Sequence, residues 1–370
     1  MRLLLCGGGT AGHINPAIAV AEELTKSCKD SKVLFVGRED GDENQLVSKA
    51  GFSFQTIKIQ GIKRSLSLEN IARIKLAIKA IDSAGEIIKQ FKPDVILGTG
   101  GYVCWPVITA GRKMGIPIAI HESNIVPGLT TKLLSKKCDL IFLNQEEAKK
   151  HLSKKVKTKT VGNPLRQSFI KTSRKEAREK LKIAENEIMI LSFGGSIGAE
   201  RLNDVIIDVI KKYSSTDKKI KHIHAVGKRY YEKIKTEKND YNGCKILPYI
   251  DDMATYMKAS DIVICRCGSM TLSEVCEAGA SPILIPSPNV TANHQYANGK
   301  HLEDLGAAIM IEEKNLSTDT LINAINLLKS EKNGRKTRAK ILNGQKSTNA
   351  SKEIVSELFC LKKPSKKPLF

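Results

Sequence analysis

Residues 3–13 read LLLCGGGTAGH, a short apolar run that leads directly into a glycine-rich loop. The same arrangement returns at residues 188–198, which read IMILSFGGSIG. An apolar strand, a glycine loop and then a helix are typical of parallel sheets whose two faces are both covered by helices. The repeat predicts two domains that begin in the same way.

Further short apolar runs occur elsewhere in the chain and alternate with helix-like segments. The predicted strands cover residues 2–6, 32–36, 94–97, 116–120, 188–193, 221–226 and 261–265. This alternation indicates an α/β fold with parallel sheets, whose ligands bind at the carboxyl ends of the strands. In the first helix, Asn15 is the predicted N-cap and Pro16 the predicted first residue. A helix after the loop at residues 267–271 is predicted to begin near Leu272.

The chain is strongly basic, with a net charge of +21 over 370 residues. The net charge is +10 in residues 1–165 and +11 in residues 166–370, so the positive charge is spread over both halves. Nucleic acid, an anionic membrane and a phosphate-rich substrate are all compatible with such a charge. Aromatic residues make up only 5% of the chain, and we find no nucleic-acid-binding motif. We therefore expect no nucleic-acid partner.

No apolar run approaches the roughly 20 residues that span a bilayer. Glycines interrupt the N-terminal apolar run before it reaches the length of a signal peptide. We therefore expect a cytoplasmic protein. The nine cysteines are irregularly spaced and contain no C-x-x-C pair, which predicts reduced, mostly buried thiols and no zinc site.

The first glycine loop, Gly7-x-Gly9-x-x-Gly12, matches the dinucleotide-binding fingerprint. Arg38 follows the second predicted strand and would suit the phosphate of NADP, so an oxidoreductase is one alternative. Three more glycine loops, at residues 98–102, 194–196 and 267–271, follow other predicted strands. One dinucleotide does not need four such loops divided between two domains. The set favours one phosphorylated ligand per domain.

Several motifs occur in order over most of the chain. They are GGTAGH at residues 8–13 with Pro16, HESN at 121–124, GNP at 162–164 with Arg166, FGGS at 193–196, Thr271 with Glu274, and NHQ at 293–295. Together they resemble the MurG family of UDP-N-acetylglucosamine:lipid-linked muramyl-pentapeptide transferases. Ile197 departs from the commonest pattern, which has glutamine after Gly-Gly-Ser, and Ala11 stands where glycine is frequent.

The resemblance implies the GT-B architecture, in which two Rossmann-like parallel-sheet domains face each other across a cleft. Residues 1–162 would bind the lipid-linked acceptor and face the membrane, and residues 163–345 would bind the UDP-sugar donor. Residues 346–361 would form a C-terminal helix that packs back on the first domain. The basic tail, residues 362–370, is expected to be disordered.

By the same resemblance, the donor UDP-N-acetylglucosamine would be bound by residues from both domains. They are Thr10, Ala11, Gly12, Asn124, Arg166, Ser196, Ile250, Ser269, Met270, Thr271, Leu272, Ser273, Glu274 and Gln295. Ser196 and Arg166 would meet the diphosphate, and the backbone of Ile250 would receive the uracil edge. Glu274 would accept hydrogen bonds from the ribose hydroxyls, while Gln295 and Asn124 would hold the sugar hydroxyls.

The acceptor's pyrophosphate is expected at the glycine loops of the first domain. The candidate residues there are Gly9, Thr99, Gly100, Gly101 and Tyr102. The implied reaction inverts the anomeric centre of the transferred sugar and uses no metal and no cofactor.

A base must take the proton of the acceptor hydroxyl. His13 is the first candidate, since it follows the glycine loop and histidine titrates near neutral pH. The alternative for His13 is that it hydrogen-bonds only the acceptor phosphate or a backbone group. Glu122 is the rival base. We interpret His222 and His224 as sheet residues.

Because the acceptor lipid stays in the bilayer, we expect peripheral binding to the anionic inner-membrane surface, at its cytoplasmic face. The loop at residues 61–68, with Lys63 and Arg64 between Ile62 and Leu66, is the main candidate for this contact, aided by Lys136 and Lys137. The apolar stripe of Ile71, Ile74, Ile78 and Ile81 is interpreted first as core. Other cell-wall synthesis proteins are possible partners.

Two function classes remain open beside the muramyl-lipid transferase. One is a UDP-sugar epimerase or glycolipid transferase of the same architecture, which would share the glycine loops and Glu274. The other is the NADP-dependent oxidoreductase, which binding of a nicotinamide cofactor would reveal.

Overall fold

The structure is a computed structural model that describes residues 1–41, 43–61, 69–195, 198–234, 240–290, 293–330, 332–347 and 349–362. It divides into two compact units, Met1–Arg166 with Ser347–Phe370, and Gln167–Lys346. The predicted boundary at residue 162 lies four residues before this division. Each unit is an α/β domain in its own right.

The first unit is built on a seven-stranded sheet of order β3-β2-β1-β4-β5-β6-β7, in which all pairs are parallel. Its strands are β1 Arg2–Cys6, β2 Lys32–Arg38, β3 Ser53–Ile57, β4 Val95–Gly98, β5 Ile118–Glu122, β6 Leu140–Leu143 and β7 Thr158–Thr160. Its helices are α1 Ala11–Ser27, α2 Glu43–Lys49, α3 Glu69–Phe91, α4 Cys104–Lys113 and α5 Leu129–Leu134, with the C-terminal α15 Ala350–Leu361.

Both faces of this sheet are buried, which explains why β1 is apolar at successive positions. Leu3 and Leu5 point to one face, where α1, α2 and α15 contribute Ile18, Val47 and Leu358 to a common core. The alternate residues of β1 point to the other face, which α3, α4 and α5 cover. The C-terminal helix α15 packs against α1, so the chain's last described helix completes the first unit.

The second unit repeats the plan, with the strand order β10-β11-β9-β8-β12-β13-β14 and one antiparallel pair, β10 with β11. Its strands are β8 Ile188–Phe193, β9 Ile220–Ala225, β10 Asp240–Tyr241, β11 Cys244–Leu247, β12 Ile262–Cys265, β13 Ser281–Leu284 and β14 Ile309–Met310. Its helices are α6 Gln167–Lys171, α7 Arg174–Leu181, α8 Glu200–Lys212, α9 Lys228–Ile234, α10 Met253–Ala259, α11 Ser269–Ala278, α12 His294–Asp304, α13 Thr318–Ser330 and α14 Lys332–Gly344.

Each sheet has a point at which the strand order reverses. In the first unit this point lies between β1 and β4, and in the second between β8 and β12. Loops at such a point diverge to opposite faces and leave a crevice at the carboxyl edge, where ligands of parallel sheets bind. The glycine loops at residues 7–10, 99–101, 194–195 and 266–268 follow these four strands.

The predicted fold class is confirmed, since both units are Rossmann-like parallel-sheet domains. The predicted start of the first helix is wrong. Helix α1 begins at Ala11, with Thr10 as its N-cap, and Pro16 lies inside it. Gly9, whose φ is +91°, turns the chain just after β1. The helix therefore starts before Asn15, the predicted N-cap. Helix α11 likewise begins at Ser269, three residues before Leu272.

Interpreting the apolar stripe on α3 as core is also wrong for most of its length. Ile71, Ile74 and Ile78 are 54%, 47% and 54% exposed, and only Ile81 packs against the core. Helical periodicity identifies residues on one face of a helix but does not say what that face meets. Among the described residues, no helix is long and apolar enough to cross a membrane.

The predictions that most thiols are buried and that His222 and His224 are sheet residues are confirmed. All nine cysteines are free and six are buried. His222 and His224 lie buried in β9, where Ser192 Oγ is 2.8 Å from His222 Nε2 and 2.9 Å from His224 Nδ1. Burial lowers the pKa of His222 to about 3 and that of His224 to about 4. Both imidazoles are therefore neutral parts of the core at neutral pH.

Candidate active site

Two glycine loops of the first unit pack backbone against backbone at the carboxyl edge of the sheet. The Gly8 amide donates to the Gly100 carbonyl at 3.3 Å. The Thr99 hydroxyl donates to the His13 carbonyl at 2.6 Å. A side chain on Gly101, whose φ is +85°, would collide with the Gly8 carbonyl. The glycines therefore allow the loops after β1 and β4 to touch.

His13 is held in the first turn of α1 by this double loop. Its Nδ1 lies 2.9 Å from the Gly8 carbonyl oxygen. Because a carbonyl only accepts hydrogen bonds, Nδ1 carries the hydrogen and Nε2 of the neutral ring carries the lone pair. The ring packs on Gly100, where a Cβ would lie 2.7 Å from His13 Cδ2. This geometry presents Nε2 as a proton acceptor beside both glycine loops.

Glu122 ends β5 and is 5% exposed. Its Oε1 accepts from the amide and the side-chain nitrogen of Asn124, at 2.9 and 3.0 Å. Its Oε2 accepts from the Gly128 amide at 3.0 Å. Both carboxylate oxygens therefore hold the loop that carries Asn124. The adjacent His121 is buried, which lowers its pKa, and its Nε2 bonds the Gly162 carbonyl at 2.9 Å.

A polar cavity of about 320 Å³ opens beside the first glycine loop. It is lined by Arg38, Asp40, Ile59, Gln60, Gly61, Arg73 and Tyr102. Arg38 Nε lies 3.4 Å from Glu43 Oε1, and its Nη1 donates to the Tyr102 hydroxyl at 3.4 Å. Arg73 pairs with Glu69 at 3.6 Å. Both guanidinium groups are thus held in place by partners within the unit.

Glu43 is a buried carboxylate beside the first glycine loop that the sequence did not reveal. It is 3% exposed at the start of α2, and its Oε1 accepts from the Gly9 amide at 2.6 Å. A glutamate in the first turn of a helix is common for electrostatic reasons alone, so its position in the sequence carries no functional signal. Its burial beside the glycine loop distinguishes it.

The remaining predicted residues of the first unit lie on or beside α1. Thr10 is its N-cap and makes no side-chain capping hydrogen bond, while Ala11 and Gly12 form its first turn. Arg166 is the last residue of the first unit before the chain enters the second, and its Nε lies 3.5 Å from Oε1 of Glu22 on α1. The helix N-terminus is favourable for an anionic group because the macrodipole is positive there.

The donor candidates of the second unit gather at the N-terminal end of α11. Gly268 is the N-cap, and glycine has no side chain with which to cap the helix. Ser269, Met270 and Leu272 are buried, whereas Thr271, Ser273 and Glu274 are partly exposed. The helix therefore presents its positive end and a polar face from the loop after β12. A diphosphate and a ribose are ligands that these groups can hold.

Gln295 joins two loops at the same edge. Its Oε1 accepts from the Cys267 amide at 3.2 Å and from the Ser287 amide at 2.9 Å. These residues follow β12 and β13, so one side chain ties both loops together. The amide oxygen is occupied by these bonds, and Nε2 is the group that can donate to a ligand.

Ile250 lies buried between β11 and α10, whose N-cap is Asp252. Ser196, predicted to meet the diphosphate, and Ile197 lie outside the described residues. So do Ile62, Lys63, Arg64 and Leu66 of the predicted membrane loop. Within the described chain, no group of three or more His, Cys, Asp or Glu residues forms a metal-binding cluster.

Within each unit, the structure brings predicted residues together at the switch point of the sheet. In the first unit, residues 9–13 meet residues 99–102 through the contacts between the two loops. In the second unit, residues 269–274 and Gln295 lie around the loop after β12. The residues predicted to bind the acceptor thus lie in the first unit, and most of those predicted to bind the donor lie in the second.

Two family models match the chain. The glycosyltransferase family 28 N-terminal domain matches residues 3–143, and the family 28 C-terminal domain matches residues 189–354. A solved structure, the MurG of Acinetobacter baumannii, is 28% identical and superposes with a TM-score of 0.71 over 97% of this chain and 99% of that chain. A UDP-GlcNAc 2-epimerase from Neisseria meningitidis superposes with a TM-score of 0.70 over 97% of this chain and 100% of that chain. At 18% identity it shares the fold alone.

Curated relatives cover nearly the whole chain. A UDP-N-acetylglucosamine–N-acetylmuramyl-(pentapeptide) pyrophosphoryl-undecaprenol N-acetylglucosamine transferase of Acetivibrio thermocellus is 41% identical over 96% of both chains. The protein of the same name from Alkaliphilus metalliredigens is 39% identical over 98% of this chain and 99% of its own. The chain therefore belongs to glycosyltransferase family 28 and, within it, to the family of these N-acetylglucosamine transferases.

Proposed function

We propose that this chain transfers N-acetylglucosamine from UDP-N-acetylglucosamine to the muramyl sugar of an undecaprenyl-pyrophosphoryl-linked muramyl-pentapeptide, the lipid I to lipid II step of peptidoglycan synthesis. The observation that carries the proposal is the 41% identity over 96% of both chains to a relative named for this reaction. The four glycine loops, two in each unit, supply the binding sites that two phosphorylated substrates require.

The second unit binds the donor. The N-terminal end of α11 receives the diphosphate, and Glu274 accepts hydrogen bonds from the ribose hydroxyls. The backbone of Ile250 meets the uracil edge, and Gln295 Nε2 donates to a sugar hydroxyl. The Ser196 hydroxyl and the Arg166 guanidinium are further candidates for holding the diphosphate. As UDP leaves, charge develops on its diphosphate, and the helix N-terminus stabilises that charge.

The first unit binds the acceptor. Its pyrophosphate lies against the first turn of α1 and the loop of Thr99–Tyr102, since Glu43 already occupies the Gly9 amide. The cavity beside Tyr102 accommodates a further polar part of the acceptor. The acceptor hydroxyl oxygen forms a bond to the anomeric carbon while the bond to UDP breaks, so the electron pair of that bond leaves on UDP. The hydroxyl proton moves to His13 Nε2. Attack opposite the leaving group inverts the anomeric centre.

His13 is preferred to Glu122 as the base. Both oxygens of Glu122 already accept hydrogen bonds from the loop of residues 124–128. Proton transfer to Glu122 would weaken these bonds. His13 in contrast has its Nδ1 bonded to Gly8, which leaves Nε2 as the lone-pair nitrogen. The proposal therefore gives Glu122 the task of holding Asn124 in place.

The same proposal includes peripheral binding of the first unit to the cytoplasmic face of an anionic membrane. Exposed isoleucines occupy the start of α3, and Leu129 and Leu133 on α5 are 65% and 60% exposed. Helices α3 and α5 flank α4 on one face of the sheet. Exposed Lys132 and Lys136 accompany the leucines. Apolar side chains with nearby lysines are typical of surfaces that insert into a lipid headgroup region.

The test is incubation with labelled UDP-N-acetylglucosamine and a short-chain analogue of the muramyl lipid. We expect the label in the lipid-linked disaccharide, with one UDP released for each sugar transferred. An isomerised UDP-sugar formed without acceptor would instead favour an epimerase. Reduction or oxidation of NADP would favour the oxidoreductase, for which neither the family nor the paired state of Arg38 gives support.

A further inference from the structure

Glu43 takes the hydrogen-bonding position that a phosphate oxygen occupies in many nucleotide-binding glycine loops. Its carboxylate accepts the Gly9 amide hydrogen at 2.6 Å. A Cβ on Gly8 would lie 2.7 Å from the same carboxylate oxygen, so glycine is needed for the approach. Arg38 Nε, at 3.4 and 3.5 Å from the two oxygens, steadies the carboxylate on its other side.

The Gly9 amide and the Gly8 carbonyl belong to one peptide group. His13 Nδ1 lies 2.9 Å from that carbonyl oxygen. Glu43, the Gly8–Gly9 peptide and His13 therefore form one hydrogen-bonded chain, with a carboxylate at one end and an imidazole at the other. In many enzymes a carboxylate orients a histidine by direct contact. Here one peptide group stands between them.

We infer that Glu43 is a positioning residue that acts on His13 through the Gly8–Gly9 peptide group. A carboxylate that accepts the amide hydrogen polarises the peptide and makes its carbonyl a stronger acceptor. The stronger acceptor keeps the hydrogen of His13 on Nδ1 and leaves the lone pair on Nε2. It also stabilises the imidazolium that forms when Nε2 takes a proton. The catalytic part of this inference rests on the proposed role of His13 as the base.

Kinetics of Glu43→Gln, His13→Ala and the double variant test the coupling. Glutamine keeps an oxygen that accepts the Gly9 amide and removes the charge. Because charge-assisted hydrogen bonds are roughly twice as strong as neutral ones, we expect Glu43→Gln to lower kcat about tenfold. Calorimetric affinity for UDP should not change. Glu39→Gln is the matched control, since Glu39 is exposed and pairs only with Lys58 at 3.8 Å among the described residues.

In the His13→Ala background, Glu43→Gln should have no further effect on kcat, because the residue through which Glu43 acts is gone. An equal further loss in that background would mean that Glu43 acts independently of His13, and the inference would be overturned. An unchanged kcat for Glu43→Gln alone would overturn it as well.

Nitrogen NMR of labelled histidine separates this inference from the proposed function. The His13 signals, assigned by their loss in His13→Ala, should show hydrogen on Nδ1 in the unaltered protein and a shift toward the other tautomer in Glu43→Gln. The same His13 tautomer in the unaltered protein and in Glu43→Gln would overturn the inference. If the His13 tautomer shifts in Glu43→Gln but His13→Ala keeps nearly full activity, Glu43 positions His13 as inferred, and His13 is not the base.

Discussion

The glycine loops that open the two units begin alike in sequence and end in opposite situations. In the first unit, the Gly9 amide is taken by Glu43, and Gly8 and Gly101 pack against neighbouring atoms. In the second unit, Gly195 has φ +94°, and apart from Gly195 itself and its chain neighbours no described atom lies within 4 Å of the place where its Cβ would stand. The first loop is closed by the protein itself. The second is packed at Gly194 and Gly198, where a Cβ would meet Ala199 and the Val226 carbonyl, and is open at Gly195.

This difference indicates that one motif serves two purposes. We propose that the Gly9 amide of the closed loop, through its bond to Glu43, helps to orient His13, as a catalytic base requires. The open loop leaves backbone accessible at Gly195, which is what a bound diphosphate requires. Substitutions in the two units should therefore separate turnover from donor binding.

The largest effect is expected for His13, the proposed base in the closed loop. His13→Ala should lower kcat by roughly 10²–10⁴-fold, the usual contribution of a general base. UDP affinity measured by calorimetry should stay within about twofold, since the base acts mainly in the transition state. If turnover falls less than about tenfold, His13 is not the base. Glu122 then becomes the first candidate.

For the proposed donor site of the second unit, the expected loss is in UDP affinity. Glu274→Ala should weaken UDP binding by about 1.5–3 kcal/mol, because the ribose hydroxyls lose a charged acceptor. Glu303→Ala on α12, where Glu303 pairs with Lys300, is the control and should leave UDP affinity as it was. Calorimetry that finds equal UDP affinities for the two variants would remove Glu274 from the site.

The two loops themselves can be compared by placing an alanine in each. Gly101→Ala should destabilise the protein by about 1–3 kcal/mol, because the methyl group meets the Gly8 carbonyl in a packed site. Gly195→Ala meets no described atom and should cost about 1 kcal/mol for its left-handed backbone, yet weaken UDP binding. Thermal unfolding and UDP titration together check this. Equal losses of stability would mean that both loops are closed.

The smallest effects concern the exposed apolar residues of the first unit. Ile74→Ser with Leu133→Ser should weaken binding to anionic vesicles by up to about 1.5 kcal/mol per side chain. Activity on a soluble short-chain acceptor should be retained. Leu327→Ser, at a residue 46% exposed on α13 of the second unit, is the matched control and should bind vesicles normally. Equal losses on vesicle-embedded and soluble acceptors would contradict a membrane role.

Much of the fold could be predicted from local patterns. The strands at residues 2–6 and 188–193 were predicted to the residue, since apolar runs followed by glycines carry their own boundaries. The helix starts at Ala11 and Ser269 were missed. Asn15 followed by Pro16 gave a stronger start signal than Thr10, and the N-cap Gly268 has no side chain that could give one. The stripe on α3 was misjudged because periodicity cannot distinguish a buried face from an exposed one.

The sequence by itself determined the two-domain α/β class, the glycine loops and the family, because these follow from apolar periodicity and from motifs contained in short segments. Only the tertiary structure decided the partners of the loops' polar groups. Glu43 is 34 residues from Gly9 in the chain, and Gln295 is 28 residues from Cys267. A hydrogen bond between such residues exists only after the strands between them have paired, and no local pattern encodes which of many carboxylates or amides will arrive there.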